Sequence, residues 1–143
     1  MSASVGYLLK TAQSLLRLRM EESLKPLGLT VSHYSCLFRL QLQPGISASD
    51  LARAVFMTRQ SMNELLQTLL DRGLVERPAV ASSGRALPVT LTDLGRAELA
   101  RAQALVDEVE QRMLSGLDPA ETAALGSALA SCVAALAPKV SAD

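Results

Sequence analysis

Aromatic side chains are scarce in this sequence. They make up 3% of its 143 residues, and there is no tryptophan. A core must therefore be built from Leu, Val and Ala, a composition that favours packed helices. Histidine occurs once, as His33, with no Ser/His/Asp set, Gly-rich phosphate loop or metal-ligand spacing around it. That poverty argues against an enzyme, and no cofactor or metal is implied. The two cysteines, Cys36 and Cys132, lie in apolar helical patterns without CxxC spacing and read as small buried apolar residues. There is no net charge, with 14 basic and 14 acidic residues, so no overall field points to a polyanion. A basic-then-apolar leader is missing from "MSASVGYLLK", and so is an uninterrupted apolar run of roughly 18 residues. The expectation is a soluble, cytoplasmic protein with no membrane partner.

Hydrophobic residues account for 49% of the chain, enough for one domain with a real core. Val5, Leu8, Leu9, Ala12, Leu15, Leu16 and Met20 recur at helical steps and predict a helix over about 4–24, ended by Pro26 and Gly28. Thr30 starts a second helix that stops before "QPG" at 43–45. Ser47 and Asp50 have capping-box spacing and open a short third helix through Leu51, Ala52 and Val55. Thr58 caps a fourth, with Met62, Leu65, Leu66, Leu69 and Leu70 as its buried stripe and Gly73 beyond its end. Two β-leaning segments, 74–79 and 87–91, flank the turn-forming "ASSGR", and Pro78 and Pro88 fit the open edges of a surface hairpin. Thr92 caps a long helix to about Leu114, with Leu105, Val109 and Met113 in register. Asp118, Pro119 and Glu121 open a last one, ending near Ala137. Twelve alanines lie between Ala97 and Ala137. The terminal helices are apolar enough to pack on a second copy of the chain, with an intramolecular bundle as the alternative.

Helix, short turn, second helix and hairpin is the order of a winged helix-turn-helix, in which the second helix enters the DNA major groove. With Met62, Leu66 and Leu69 inside, the fourth helix turns Thr58, Arg59, Gln60, Ser61, Asn63, Glu64 and Gln67 to solvent. Gln60 and Asn63 can pair with adenine edges, Arg59 with guanine or phosphate, and Ser61 or Thr58 with phosphate. Residues 30–96 hold seven basic and five acidic side chains, so this segment carries +2 and the flanks −2. A winged-helix module that binds protein instead of DNA is the competing reading.

On "PLGLTVSHY", "ISASDLARAVFMTRQSMNELLQTLLDRGLVERP", "GRALPVTLTDLGRA" and "GLDPAETAAL", in that order and spacing, the chain resembles the MarR-type transcriptional regulators. The resemblance implies a mainly α fold with a small β-hairpin, a winged helix-turn-helix lobe at 30–96, and dimerisation helices at 1–28 and 97–143. It implies a homodimer on a pseudo-palindromic operator of double-stranded DNA, and a repressor released by small aromatic acids or other lipophilic compounds. The wing of such proteins carries Asp, any residue, Arg. Here Arg85 keeps its place, while Ser83 stands where the bracing acid is expected, which predicts a wing that orders only on DNA. Effectors of the family bind near the first, second and fifth helices, making Tyr7, Arg17 and His33 the polar candidates and Tyr34 and Phe38 the aromatic wall. A cysteine-based redox regulator is a further alternative. No cysteine lies near the first helix, and the apolar neighbours of Cys36 oppose a thiolate.

Overall fold

The structure, a computed structural model, describes residues 2–78 and 88–139. Six α-helices and one two-stranded ribbon are present among them. The chain divides into two compact units, residues 1–109 and 110–143.

In the first unit, α1 (Val5–Leu24) begins at Ser4, whose hydroxyl accepts from the Tyr7 amide at 3.1 Å. A 3-10 turn (Lys25–Leu27) follows, and Gly28 takes a left-handed φ of 67°. Helix α2 (Val31–Leu42) has a well-satisfied start. The Thr30 hydroxyl accepts from the His33 amide, His33 Nδ1 accepts from the Thr30 amide, and Glu21 Oε1 accepts from the Val31 amide. Three of the four amides orphaned at a helix start thus find partners.

Helix α3 (Ala48–Ala54) opens on Ser47, whose hydroxyl accepts from the Asp50 amide. The expected capping box is only half formed, because the Asp50 carboxylate pairs with Arg53 one turn on. Helix α4 (Arg59–Asp71) buries Met62, Leu65, Leu66 and Leu69 on one side. Thr58 caps its start by accepting from the Ser61 amide. Beyond its end, Gly73 is left-handed at φ 72°.

The ribbon pairs β1 (Val75–Glu76) with β2 (Thr90–Leu91), antiparallel, Val75 opposite Leu91 and Glu76 opposite Thr90. Among the described residues the paired part stops short of Pro78 and Pro88, which bring no amide to a ladder. Residues 79–87, including Ser83 and Arg85, lie outside the described residues. Helix α5 (Asp93–Met113) starts at Thr92, as expected from the sequence. The Thr92 hydroxyl accepts from the Gly95 amide at 3.0 Å and donates to the Gly73 carbonyl at 2.6 Å. Of its expected stripe, Val109 is buried, Leu105 half-buried and Met113 exposed.

One continuous core joins Leu24, Leu37, Leu51, Met62, Leu66, Leu69, Leu74, Val89, Leu91 and Leu99. It is aliphatic, as the shortage of aromatics requires. The wing base and the helix-turn-helix share this core, so the orientation of one constrains the other.

In the second unit, α6 (Pro119–Leu136) opens on a reciprocal capping box between Asp118 and Glu121. None of its side chains is buried. Cys132 is therefore exposed, against the burial expected for it, because helical periodicity places a residue on a face but does not say what covers that face. Although no uninterrupted apolar run occurs, α6 has a mean hydropathy of 1.3 and is long and apolar enough to cross a membrane by length and composition.

Candidate nucleic-acid interface

Helix α4 has two sharply different sides. Met62, Leu65, Leu66 and Leu69 sit in the core, while Thr58, Arg59, Gln60, Ser61, Asn63, Glu64 and Gln67 are all exposed. The polar side follows from spacing: once 62, 66 and 69 face inward at 3.6 residues per turn, 60, 63 and 67 cannot. Gln67 Nε2 donates to Asp71 at 2.9 Å, which ties its amide along the helix. No ion pair engages Arg59 among the described residues. Arg59 is also a cation in the first turn of a helix whose amide dipoles already place positive charge there, and no acid in that turn offsets it. Self-repulsion of this kind costs about 0.3–1 kcal/mol and is relieved by an anion such as a phosphate.

Three contacts that the sequence did not reveal set the angle of this helix and of the ribbon behind it. Arg72 Nη1 reaches back to the Gly28 carbonyl at 2.8 Å, fixing the end of α4 to the turn after α1. The Thr92 amide donates to the Leu74 carbonyl at 3.1 Å, beside the Thr92 hydroxyl bond to Gly73. Gly95 then packs so closely that a Cβ there would run into the Leu74 carbonyl. The only sequence signal for the last contact was a glycine in the first turn of an otherwise strong helix.

The turn between α3 and α4 holds a further unexpected feature. Phe56 is the residue just past the cap of α3, with Met57 donating to the Ala52 carbonyl at 2.8 Å and Phe56 to the Arg53 carbonyl at 3.3 Å. This is the helix-ending motif that places its C′ residue in the left-handed region, usually glycine. Phe56 adopts φ 58° there and is 95% exposed. For a residue with a Cβ that conformation costs about 1–2 kcal/mol.

The five effector candidates do not form one group. Tyr34 and Phe38 lie together on α2, ring centroids 6.0 Å apart, and Tyr34 donates to Gln103 of α5 at 2.7 Å. Tyr7 is exposed on α1, and Arg17, also exposed, faces Glu21 at 3.8 Å. His33 is engaged in the α2 cap. Burial, and then the Arg72 charge, lower its pKa, and Glu21 opposes them only in part. A neutral ring is what its Nδ1 acceptor role needs. Burial pushes the Cys36 thiol up to about 12, which leaves it without thiolate for redox chemistry at neutral pH. No cluster of His, Cys, Asp and Glu able to hold a metal occurs among the described residues.

A buried helix-turn-helix, a polar second helix turned outward and a two-stranded ribbon sharing its core define a winged helix-turn-helix protein. Residues 27–86 match the MarR family. The HTH-type transcriptional repressor Rv2887 of Mycobacterium tuberculosis is 46% identical over 115 residues, spanning 80% of this chain and 83% of that protein. This chain belongs to the MarR family of transcriptional regulators. Among solved structures, Rv2887 complexed with DNA superposes with a TM-score of 0.79 at 37% identity, covering 92% of this chain and 98% of that one. Rv2887 complexed with salicylic acid gives 0.78 at 41%, covering 92% and 97%. Wild-type MarR from E. coli has the same fold, with a TM-score of 0.81 at 22% identity over 93% and 99%.

Proposed function

We propose that this protein is a dimeric, sequence-specific repressor that reads a pseudo-palindromic operator with α4 and is released by a small aromatic or lipophilic compound. The observation that carries the reading is the row of exposed Thr58, Arg59, Gln60, Ser61, Asn63 and Gln67 on a helix whose opposite side is fully committed to the core. In this reading Gln60 and Asn63 contact base edges, Arg59 and the amides of the first turn of α4 take phosphate, and the wing contributes Ser83 and Arg85. Release by a ligand draws support from the relative solved both with DNA and with salicylic acid. A regulator of this kind works where the chromosome is, in the cytoplasm, and needs no catalytic chemistry.

Dimerisation draws support from apolar surface that the single chain leaves open. Leu8, Leu9, Leu15 and Leu18 of α1 are exposed, and so are Leu125, Leu129, Val133 and Leu136 of α6. Covering that much apolar side chain with a second copy is favourable at roughly 25 cal/mol per Å². Selection of bound fragments from genomic DNA, followed by footprinting, tests the reading. Two protected half-sites ~34 Å apart, one helical turn of DNA, are expected for paired recognition helices. A single half-site, or no enrichment over random fragments, would overturn it.

A further inference from the structure

Phe56 combines a large ring in solvent with a backbone conformation that disfavours it. Glycine in that slot would remove both costs, and strain of this kind is held where it serves a site. From Ser47 to Asp71, which spans α3, the turn and α4, Phe56 is the one large apolar side chain left exposed. Its backbone is not loose. The Phe56 amide donates to the Arg53 carbonyl and the Met57 amide to the Ala52 carbonyl, so a hydrogen-bonded turn presents the ring. Phe56 stands two residues before Thr58, the cap of α4, so at most about 7 Å of chain separates them. That is about two base steps of DNA at ~3.4 Å each. Exposed Arg53 and Arg59 lie three residues away on either side in the chain, and Arg59 joins no ion pair among the described residues. Protein interfaces deplete charge around their apolar centres, whereas DNA phosphates attract it. A ring set between cations, continuous with the outward side of α4, therefore fits DNA better than a second protein.

The ring has no group that can hydrogen-bond a phosphate or a polar base edge, so it needs an apolar partner. In the major groove the base edges offer one, the C5-methyl of thymine. Gln60 and Asn63, the amides proposed to read bases, are suited to adenine, and every adenine is paired with a thymine whose methyl lines the same groove. We propose that Phe56 is a specificity-determining residue that reads a thymine, its ring packing on the C5-methyl beside the base pairs met by the first turn of α4. This rests on the operator-reading function proposed above and adds to it a contact of a different kind. The amides of α4 select by hydrogen bonds, and Phe56 selects by apolar contact from outside the helix. Glycine at position 56 would satisfy the turn and supply no contact; phenylalanine strains the turn and supplies one.

The test removes the methyl and the ring separately. On an operator fragment selected from genomic DNA, each thymine is replaced in turn by deoxyuridine, which deletes the C5-methyl and keeps the base pair. Fluorescence anisotropy at fixed salt then compares full-length wild type with Phe56→Gly and Phe56→Asn, two residues that accept the left-handed backbone and so keep the turn. At one thymine in each half-site, wild type should lose about four-fold on losing the methyl, the worth of one buried carbon group. Both variants should bind the thymine operator at least four-fold more weakly than wild type, bind random DNA as wild type does, and be indifferent to uracil at that thymine. Variants that bind the thymine operator as tightly as wild type would overturn the contact. So would variants that lose affinity yet still pay the full uracil penalty at every thymine, because the ring would then pack on sugar or only support the turn. Either result leaves a selected operator in hand and overturns the contact alone. Failure of any fragment to bind wild type would refute the operator-reading function, and this contact with it.

Discussion

The α3–α4 turn and the end of α4 are built by the same pair of backbone hydrogen bonds on opposite residues. At the end of α4, Leu74 and Gly73 donate to the Leu69 and Leu70 carbonyls, each at 3.0 Å, and Gly73 holds the left-handed φ of 72°. At the end of α3 the same slot holds Phe56. The glycine end is locked: Thr92 bonds both Gly73 and Leu74, Gly95 closes on the Leu74 carbonyl, and Arg72 reaches to Gly28. Among the described residues the phenylalanine end has no such clamp, and its exposed ring lies beside an aromatic cleft. One junction fixes where the reading helix ends and the ribbon begins; the other sets an exposed, left-handed phenylalanine where the reading helix begins.

The locked end should be the more fragile to added bulk. Gly95→Ala forces a methyl into the Leu74 carbonyl and should cost about 3 kcal/mol, near the top of the overpacking range, as read by urea denaturation. A loss below about 0.5 kcal/mol would mean that α5 is not seated on the wing base. The two C′ positions should then respond with opposite signs. Gly73→Ala meets no neighbouring atom within 4 Å, so its cost is that of the left-handed backbone alone, about 1–2 kcal/mol. Phe56→Gly should stabilise by about 1 kcal/mol, the relieved strain less the extra entropy of an unfolded glycine. Two changes of the same sign would erase the distinction between the ends.

A smaller effect concerns the corner where α1 meets α2, close to the locked end through Arg72. His33 is held neutral with its pKa below the ordinary 6.5. On acidification the unfolded chain takes up this proton first, so the folded state loses stability as pH falls from about 6.5 toward the lowered value. Denaturation midpoints at pH 7 and pH 5 should differ more in wild type than in His33→Gln, which keeps an acceptor that does not titrate. Equal differences would show that His33 contributes nothing to the pH dependence.

Much of this was legible in the sequence because helix ends are local events. Thr30, Thr58, Gly73, Asp118 and Pro119 each announce an end within four residues, and the spacing of Met62, Leu66 and Leu69 fixes which side of α4 faces solvent. What escaped was decided at a distance or by competition. Asp50 had the right spacing for a capping box but found Arg53 closer to hand. Arg72 finds its partner 44 residues away at Gly28. Cys132 lies in a pattern as apolar as that of Cys36, yet only Cys36 has neighbours to bury it. Phe56 escaped for another reason: a left-handed phenylalanine contradicts local preference, and a local reading has no ground to expect it. Of the five effector candidates, Tyr34 and Phe38 share a cleft among the described residues.

The central claim is that the outward side of α4 reads bases. Asn63 tests it most directly, because it is exposed, lies one turn into the helix and has no part in the core. In fluorescence anisotropy at fixed salt, Asn63→Ala should lose ~1–3 kcal/mol, about ten- to hundred-fold, on the selected operator and almost nothing on random DNA. Equal losses on both sequences, or none on either, would contradict it.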